Sequence, residues 1–202
     1  MLDEGRAAVR IVAGRHRGRK LAAPSGRAVR PTTDRTREAL FNILNHAAFA
    51  AGLPQAPAVL DAFAGSGALG LEALSRGAAR VTFLEQDRTA AGLIAQNIRT
   101  LGEQGRAVVL HRDATQPGPA PEAFDLVLLD APYNSGLSAP ALAALAAGGW
   151  LTPRALAVAE LAAGEDFAVA PGFWECDRRR YGRAQLVFLA IADETPGDVT
   201  TT

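Results

Sequence analysis

The stretch Val59-Leu60-Asp61-Ala62-Phe63-Ala64-Gly65-Ser66-Gly67-Ala68-Leu69-Gly70-Leu71-Glu72-Ala73-Leu74 limits the fold more than any other part of this chain. Apolar residues and an aspartate read as the end of a buried strand; a glycine-rich turn and apolar residues at helical spacing follow. Glycines let the backbone turn sharply and approach a ligand with no Cβ in the way. The helix beyond starts with N–H groups that have no partner inside it and point at that ligand. Gly65, Gly67 and Gly70 spell G-x-G-x-x-G, a dinucleotide-binding pattern. A tight strand-to-helix turn without a ligand looks similar, so Asp61 shifts the balance. A carboxylate at the strand tip repels a pyrophosphate and suits a cationic ligand that carries hydroxyls and an amine.

From residue 58 the pattern alternates. Strands are expected at 58–61, 80–85, 107–111, 124–129 and 155–161, and helices at 68–76, 88–101 and about 138–147. Two late strands, near 173–180 and 185–191, flank the turn Tyr181-Gly182-Arg183. The fold class is therefore α/β, a Rossmann-like, mostly parallel sheet covered on both faces, with an antiparallel C-terminal strand. An N-terminal β-hairpin and helix precede it. Val9, Ile11 and Ala13 start the hairpin, Gly14 and Gly18 bracket its turn, and Lys20-Leu21 resumes the strand. A loop runs from Pro24 to Pro31, and Thr33 or Asp34 caps a helix with Ala39, Leu40, Ile43, Leu44 and Ala47 on one face, ending near Gly52. Residues 1–56 form the basic extension, 57–192 the main domain, and 193–202 a disordered tail. Asn97 reads as structural.

Charge divides the chain. Residues 1–37 carry ten Lys and Arg against three Asp and Glu, +7, and residues 38–202 carry eleven against eighteen, −7. A basic end on an acidic enzyme suggests a polyanion held there. Arginine forks onto phosphate and stacks on bases, which lysine does not; Lys20 is the only lysine. Arg10, Arg15, Arg17, Arg19, Lys20 and Arg35 are the candidate contacts to that polyanion. Cys176 is alone, so no disulfide framework exists and the cytoplasm is the expected compartment. His16, His46 and His111 are scattered, so no metal site is expected. No apolar run reaches membrane-spanning length, and a monomer is expected.

Ligands of open α/β sheets sit beyond the carboxyl ends of the strands. Asp61, Glu85, Asp113 and Asp130 all occupy such ends. Glu85 stands where a carboxylate accepts ribose hydroxyls, which fits several nucleotide cofactors. Asp113, with Ala114, could accept from an adenine amine or simply close a turn. Asp130-Ala131-Pro132-Tyr133 follows the apolar run Leu126-Val127-Leu128-Leu129. An exocyclic base amine is a poor nucleophile because its lone pair is delocalised into the ring. Two acceptors, the Asp130 carboxylate and the Ala131 carbonyl, can hold both N–H groups and free that lone pair. Tyr133 can stack on an extruded base.

The glycine-rich segment resembles the cofactor loop of class I methyltransferases, whose donor is S-adenosylmethionine, and Asp130-Ala131-Pro132-Tyr133 resembles the Asp/Asn-Pro-Pro-aromatic loop of amino-methyltransferases. Ala131 departs from that pattern where the first proline is usual: the carbonyl is kept and the φ restraint lost. Arg10-Ile11-Val12-Ala13-Gly14, Arg17-Gly18-Arg19-Lys20-Leu21 and Arg30-Pro31-Thr32-Thr33-Asp34-Arg35-Thr36-Arg37-Glu38-Ala39-Leu40-Phe41-Asn42-Ile43-Leu44 closely resemble the bacterial RsmD family. The resemblance implies guanine-N2 methylation of 16S ribosomal RNA in the small ribosomal subunit. It also implies cofactor contacts at Asp61, Phe63, Gly65, Ser66, Gly67, Glu85, Gln86, Asp113 and Ala114, and catalysis at Asp130, Ala131, Pro132 and Tyr133. Thr33, Asp34, Arg35 and Arg37 would border the cofactor and target base, or serve only as helix cap and surface ion pair. The alternatives are an amino-methyltransferase acting on DNA or protein glutamine, an NAD-dependent oxidoreductase, and a non-catalytic RNA-binding assembly protein.

Overall fold

The central strands are apolar on both faces, which only a sheet covered on two sides accommodates. The computed structural model describes residues 9–23 and 33–192; the loop expected at 24–31 and the tail expected at 193–202 lie outside these residues. Seven strands make one sheet: β1 (Ala58–Ala62), β2 (Arg80–Leu84), β3 (Ala107–Leu110), β4 (Phe124–Leu129), β5 (Leu151–Ala162), β6 (Phe173–Tyr181) and β7 (Ala184–Ile191). Their order is β3-β2-β1-β4-β5-β7-β6. The first five run parallel, and β7 is antiparallel to both β5 and β6. This is the expected class I methyltransferase sheet. Strand order reverses between β1 and β4, so a crevice opens at their carboxyl ends.

Four helices accompany the sheet: α1 (Asp34–His46), α2 (Ala68–Ser75), α3 (Arg88–Leu101) and α4 (Ser138–Ala147). Thr33 caps α1 by accepting from the Thr36 N–H, and Asp87 caps α3 by accepting from the Ala90 N–H at 2.8 Å. Alternate residues of β1 and β4 face opposite ways. Val59, Leu126 and Leu128 pack with Leu71, Leu74 and Ile94 of α2 and α3, while Leu60, Val127 and Leu129 pack with Leu142 and Leu145 of α4 and with Trp150.

The N-terminal segment shares the first of these cores. Val9, Ile11 and Leu21 are buried in it beside Leu40 and Phe41 of α1, and each such anchor contributes about 1.5–3 kcal/mol. The expected hairpin is present as a short finger whose only ladder pair is Arg10 with Lys20. Its strands stop there because their next N–H groups turn to the main domain. Val12 and Ala13 donate to the Glu72 carboxylate at 2.7 and 2.9 Å, and Arg15 donates to the Ser75 carbonyl at 2.9 Å. Helix α1 ends at His46 rather than near Gly52, and a separate turn, Ala48–Ala50, follows an extended Ala47. Strand β5 begins earlier than expected, at Leu151, because a register shift lets Leu151 pair with Phe124.

Candidate active site

The turn after β1 is held open by backbone that ordinary residues avoid. Gly65 and Gly67 have φ of +56° and +76°, and Phe63, which has a Cβ, is also at +65°. A Cβ on Gly70 would lie 2.4 Å from Cε1 of Phe83, so α2 can press against β2 only with glycine there. Glu85, just beyond β2, ties the turn down: its carboxylate accepts from the Gly65 N–H and the Asp87 N–H, both at 2.7 Å. Asn97 of α3 donates to the Ser66 carbonyl and makes two further bonds to the backbone of Ala22, so the finger and the turn are fastened to one side chain.

The result is a cavity of about 430 Å³ at the carboxyl edge of the sheet. Asp61, Phe63, Gly65, Ser66, Glu85 and Gln86 line it, and so do Asp130, Ala131, Pro132 and Tyr133. The structure therefore brings the two expected clusters together. Gly67 lies behind the wall and caps α2. Ala114 contributes to the wall, whereas the Asp113 carboxylate turns back to accept from the N–H and hydroxyl of Thr115, each at 2.8 Å. Arg112 is a wall residue the sequence did not suggest; it donates to the Pro117 carbonyl and lies over the Trp150 ring.

Asp61 shows what charge this cavity favours. Its carboxyl is pushed up to about 8 by burial and, less, by the nearby Glu85, against the lowering effect of the Gly70 N–H that it accepts at 2.8 Å. Two adjoining carboxylates in one cavity fit a ligand with cationic groups and hydroxyls, as S-adenosylmethionine has. A cation favours the ionised form, so binding near pH 7 would release a proton. Affinity for such a ligand is then expected to rise from pH 6 toward about 8, by up to roughly tenfold per unit, and to fall beyond as the ligand's own α-ammonium titrates near 8. Calorimetry in buffers of different ionisation enthalpy checks this, and flat affinity with no proton release would sink it. The sign for folding is opposite. The native state keeps this proton after the unfolded chain has lost it, so Asp61 makes the ligand-free protein less stable as pH rises from about 4 to 8.

Beside Asp130 the structure adds Glu160, which the sequence did not single out, and brings in Arg37, which it did. Leu129 pairs with Ala159 in the parallel β4–β5 ladder, so the next positions, Asp130 and Glu160, stand side by side at the sheet edge. Glu160 is buried and accepts the Tyr133 phenol at 2.8 Å, which fixes the aromatic ring. Arg37 of α1 is 1% exposed. Its guanidinium donates to the Arg10 carbonyl at 2.8 Å and to Asp34 at 2.6 Å. Burial lowers its pKa, while Asp34, Glu72, Glu160 and Asp130 favour the charged form. Arg37 thus links the N-terminal helix electrostatically to the candidate catalytic edge.

The basic residues divide. Arg35 borders a second cavity that shares Tyr133 with the first. The finger tip packs against the far ends of α2 and α3. His16 meets Glu103 at 2.5 Å, Arg15 meets Glu103 at 3.4 Å and the Leu74 carbonyl at 3.3 Å, and Arg19 donates to the Thr100 carbonyl at 2.9 Å. Arg10 pairs with Asp34 at 2.7 Å, and Arg17 and Lys20 are exposed. Helix α2 spans about 12 Å from the glycine-rich turn to Ser75, so the structure does not gather Arg15, Arg17 and Arg19 with the cavity. Among the described residues there is no His, Cys, Asp and Glu cluster that could hold a metal ion, and no helix long and apolar enough to cross a membrane.

Comparison with known proteins agrees with this geometry. The family model described as Conserved hypothetical protein 95 matches residues 9–190. Ribosomal RNA small subunit methyltransferase D of Escherichia coli K12 is 36% identical over 203 residues, 96% of this chain and 94% of that protein. The Haemophilus influenzae protein of the same name is 42% identical over 159 residues, 75% of this chain and 78% of its own length. The solved structure of Escherichia coli yhhF superposes with a TM-score of 0.75 at 35% identity, covering 92% of this chain and 98% of that one. The match to the family model, the identity to its members and the superposition on a solved structure agree, and this chain belongs to the RsmD family.

Proposed function

We propose that this chain transfers a methyl group from S-adenosylmethionine to the exocyclic N2 amine of a guanine in 16S ribosomal RNA, within the small ribosomal subunit. The names of its relatives support methylation of small-subunit ribosomal RNA. The observation that carries the finer reading is that Asp130 and Tyr133 share one cavity with the carboxylates Asp61 and Glu85.

Asp61 and Glu85 would hold the ammonium and the ribose hydroxyls of the cofactor, in a cradle shaped by Phe63, Gly65, Ser66 and Gly67. Gln86 and Ala114 would flank its base. Bound there, the cofactor supplies an electrophilic methyl group. Asp130 accepts one N–H of the target amine and the Ala131 carbonyl accepts the other. Held this way, the nitrogen leaves the ring plane and its lone pair becomes available; the proton it gives up passes to the Asp130 carboxylate. Tyr133, held by Glu160, stacks on the extruded base. Positioning and fixed charge provide the rate.

The test is methyl transfer from labelled S-adenosylmethionine to unmodified small subunits, naked 16S RNA and duplex DNA in parallel, with the product nucleoside identified. Label on subunits as N2-methylguanosine is the expected result. Label on DNA alone, or cofactor bound with no transfer to any substrate, would overturn the reading.

A further inference from the structure

A second cavity, of about 390 Å³, shares Tyr133 with the first. Its walls come from parts of the chain far apart in sequence. Arg35 and Thr36 belong to the first turn of α1, Arg180 and Tyr181 end β6, and Arg183 sits in the turn to β7. Among the described residues, Arg35, Arg180 and Arg183 form no ion pair, although they converge on one hollow. Their neighbours on β6 are different: Arg178 pairs with Glu175 at 2.7 Å and Arg179 with Asp177 at 2.9 Å. The uncompensated positive charge of this hairpin is thus confined to the cavity. The amino end of α1, 13 residues long, adds its dipole there. The wall's one carboxylate, Glu160, already accepts the Tyr133 phenol.

We infer that this cavity is an anion subsite, where Arg35, Arg180 and Arg183 hold a phosphodiester of the RNA strand next to the extruded nucleotide. The inference rests on the proposed function. A base that reaches Asp130 past Tyr133 leaves its sugar and phosphate on the outer side of that ring, where the three guanidinium groups stand. Guanidinium groups fork onto phosphate oxygens in a way that one ammonium cannot. The turn Tyr181-Gly182-Arg183 then has a role: it completes, from the last strand pair, a wall that α1 begins.

The double variant R180A/R183A tests this. Its affinity for unmodified small subunits is expected to fall about tenfold or more, and the slope of log affinity against log salt to flatten by roughly 0.7, as for one lost single-strand phosphate contact. Cofactor affinity should stay within about threefold. R180K/R183K should restore the salt slope but only part of the affinity. R178A/R179A, which removes equal charge from the same strand, should match wild type in all of these. Unchanged subunit affinity and salt slope in R180A/R183A, or an equal loss in R178A/R179A, would overturn the subsite. A thermal-shift titration with a short single-stranded oligoribonucleotide needs no turnover. Stabilisation of wild type but not of R180A/R183A is expected, and equal stabilisation of the two, or none in either, counts against the subsite. Failure of the proposed function shows separately, as wild-type protein that transfers no methyl group to subunits.

Discussion

Asp130→Ala is expected to lower the single-turnover rate of methyl transfer by about 10²–10³-fold, the range for loss of one preorganised polar group that acts on developing charge. Affinity for the cofactor should change by no more than a few-fold. Asp130 stands at the tip of β4, half-buried, in the wall of the cavity. Its carboxylate would hold the target amine, whereas Asp61 and Glu85 would hold the cofactor, so the two functions separate. Truncation there opens no hole in either core, because the apolar residues of β4 end at Leu129. Asp130→Asn keeps an acceptor oxygen but loses the charge that takes up the proton, and should fall between. Rapid-quench kinetics at saturating cofactor, with calorimetric cofactor binding on the same variants, decides the matter. Lost cofactor binding with residual transfer would move Asp130 out of the catalytic role.

The largest stability effect is expected from Glu72→Ala, a loss of about 3–5 kcal/mol, the usual cost of removing one partner from a buried ion pair. Glu72 is fully buried on α2, two residues beyond Gly70. One carboxylate oxygen accepts from Val12 N–H at 2.7 Å; the other accepts from Ala13 N–H at 2.9 Å and Arg76 Nε at 2.7 Å. Alanine would strand two backbone donors and one guanidinium. The urea midpoint should fall accordingly, and the melting temperature by about 10 °C for a chain of this size. Amide exchange at residues 11–16 should accelerate more than exchange in β1 or β4. Glu72→Gln keeps an acceptor for one N–H and the shape, and should cost less. A wild-type midpoint in Glu72→Ala would mean that the apolar anchors and the bonds to Ser75, Asn97 and Glu103 hold the finger without it.

The sheet and one half of the site were legible in the sequence, because strand ends, glycine turns and periodic helices are local signals. Asp61, Glu85 and Asp130 were found as acids that close apolar runs. Glu160 carries a similar signal, a lone acid late in Ala155-Leu156-Ala157-Val158-Ala159, yet its partner Tyr133 lies 27 residues away, and only the β4–β5 register makes them neighbours. Arg37 and Glu72 look like surface helix charges until a segment from elsewhere covers them. Asp113 reads from the sequence as a ligand contact or a turn acid, and in the structure its carboxylate accepts from Thr115, two residues on. The charge of the finger tip was plain from composition, but Glu103, which holds His16 and Arg15, is 87 residues from His16. Charge is written locally, and the group that neutralises it is set by tertiary packing.

The same long separations set an order of events during synthesis. The finger is bound by Glu72, Asn97 and Glu103, through contacts 60, 75 and 87 residues apart in the chain. None of these can form before the glycine-rich turn, α2 and α3 have been made and folded against β1 and β2, and each closes a long loop. The segment made first is therefore fixed late. Until about residue 103 has left the ribosome, Arg15 and Arg19 lack their full set of partners on and just after α2 and α3 and remain open to whatever polyanion is near, including the ribosome that is making the chain.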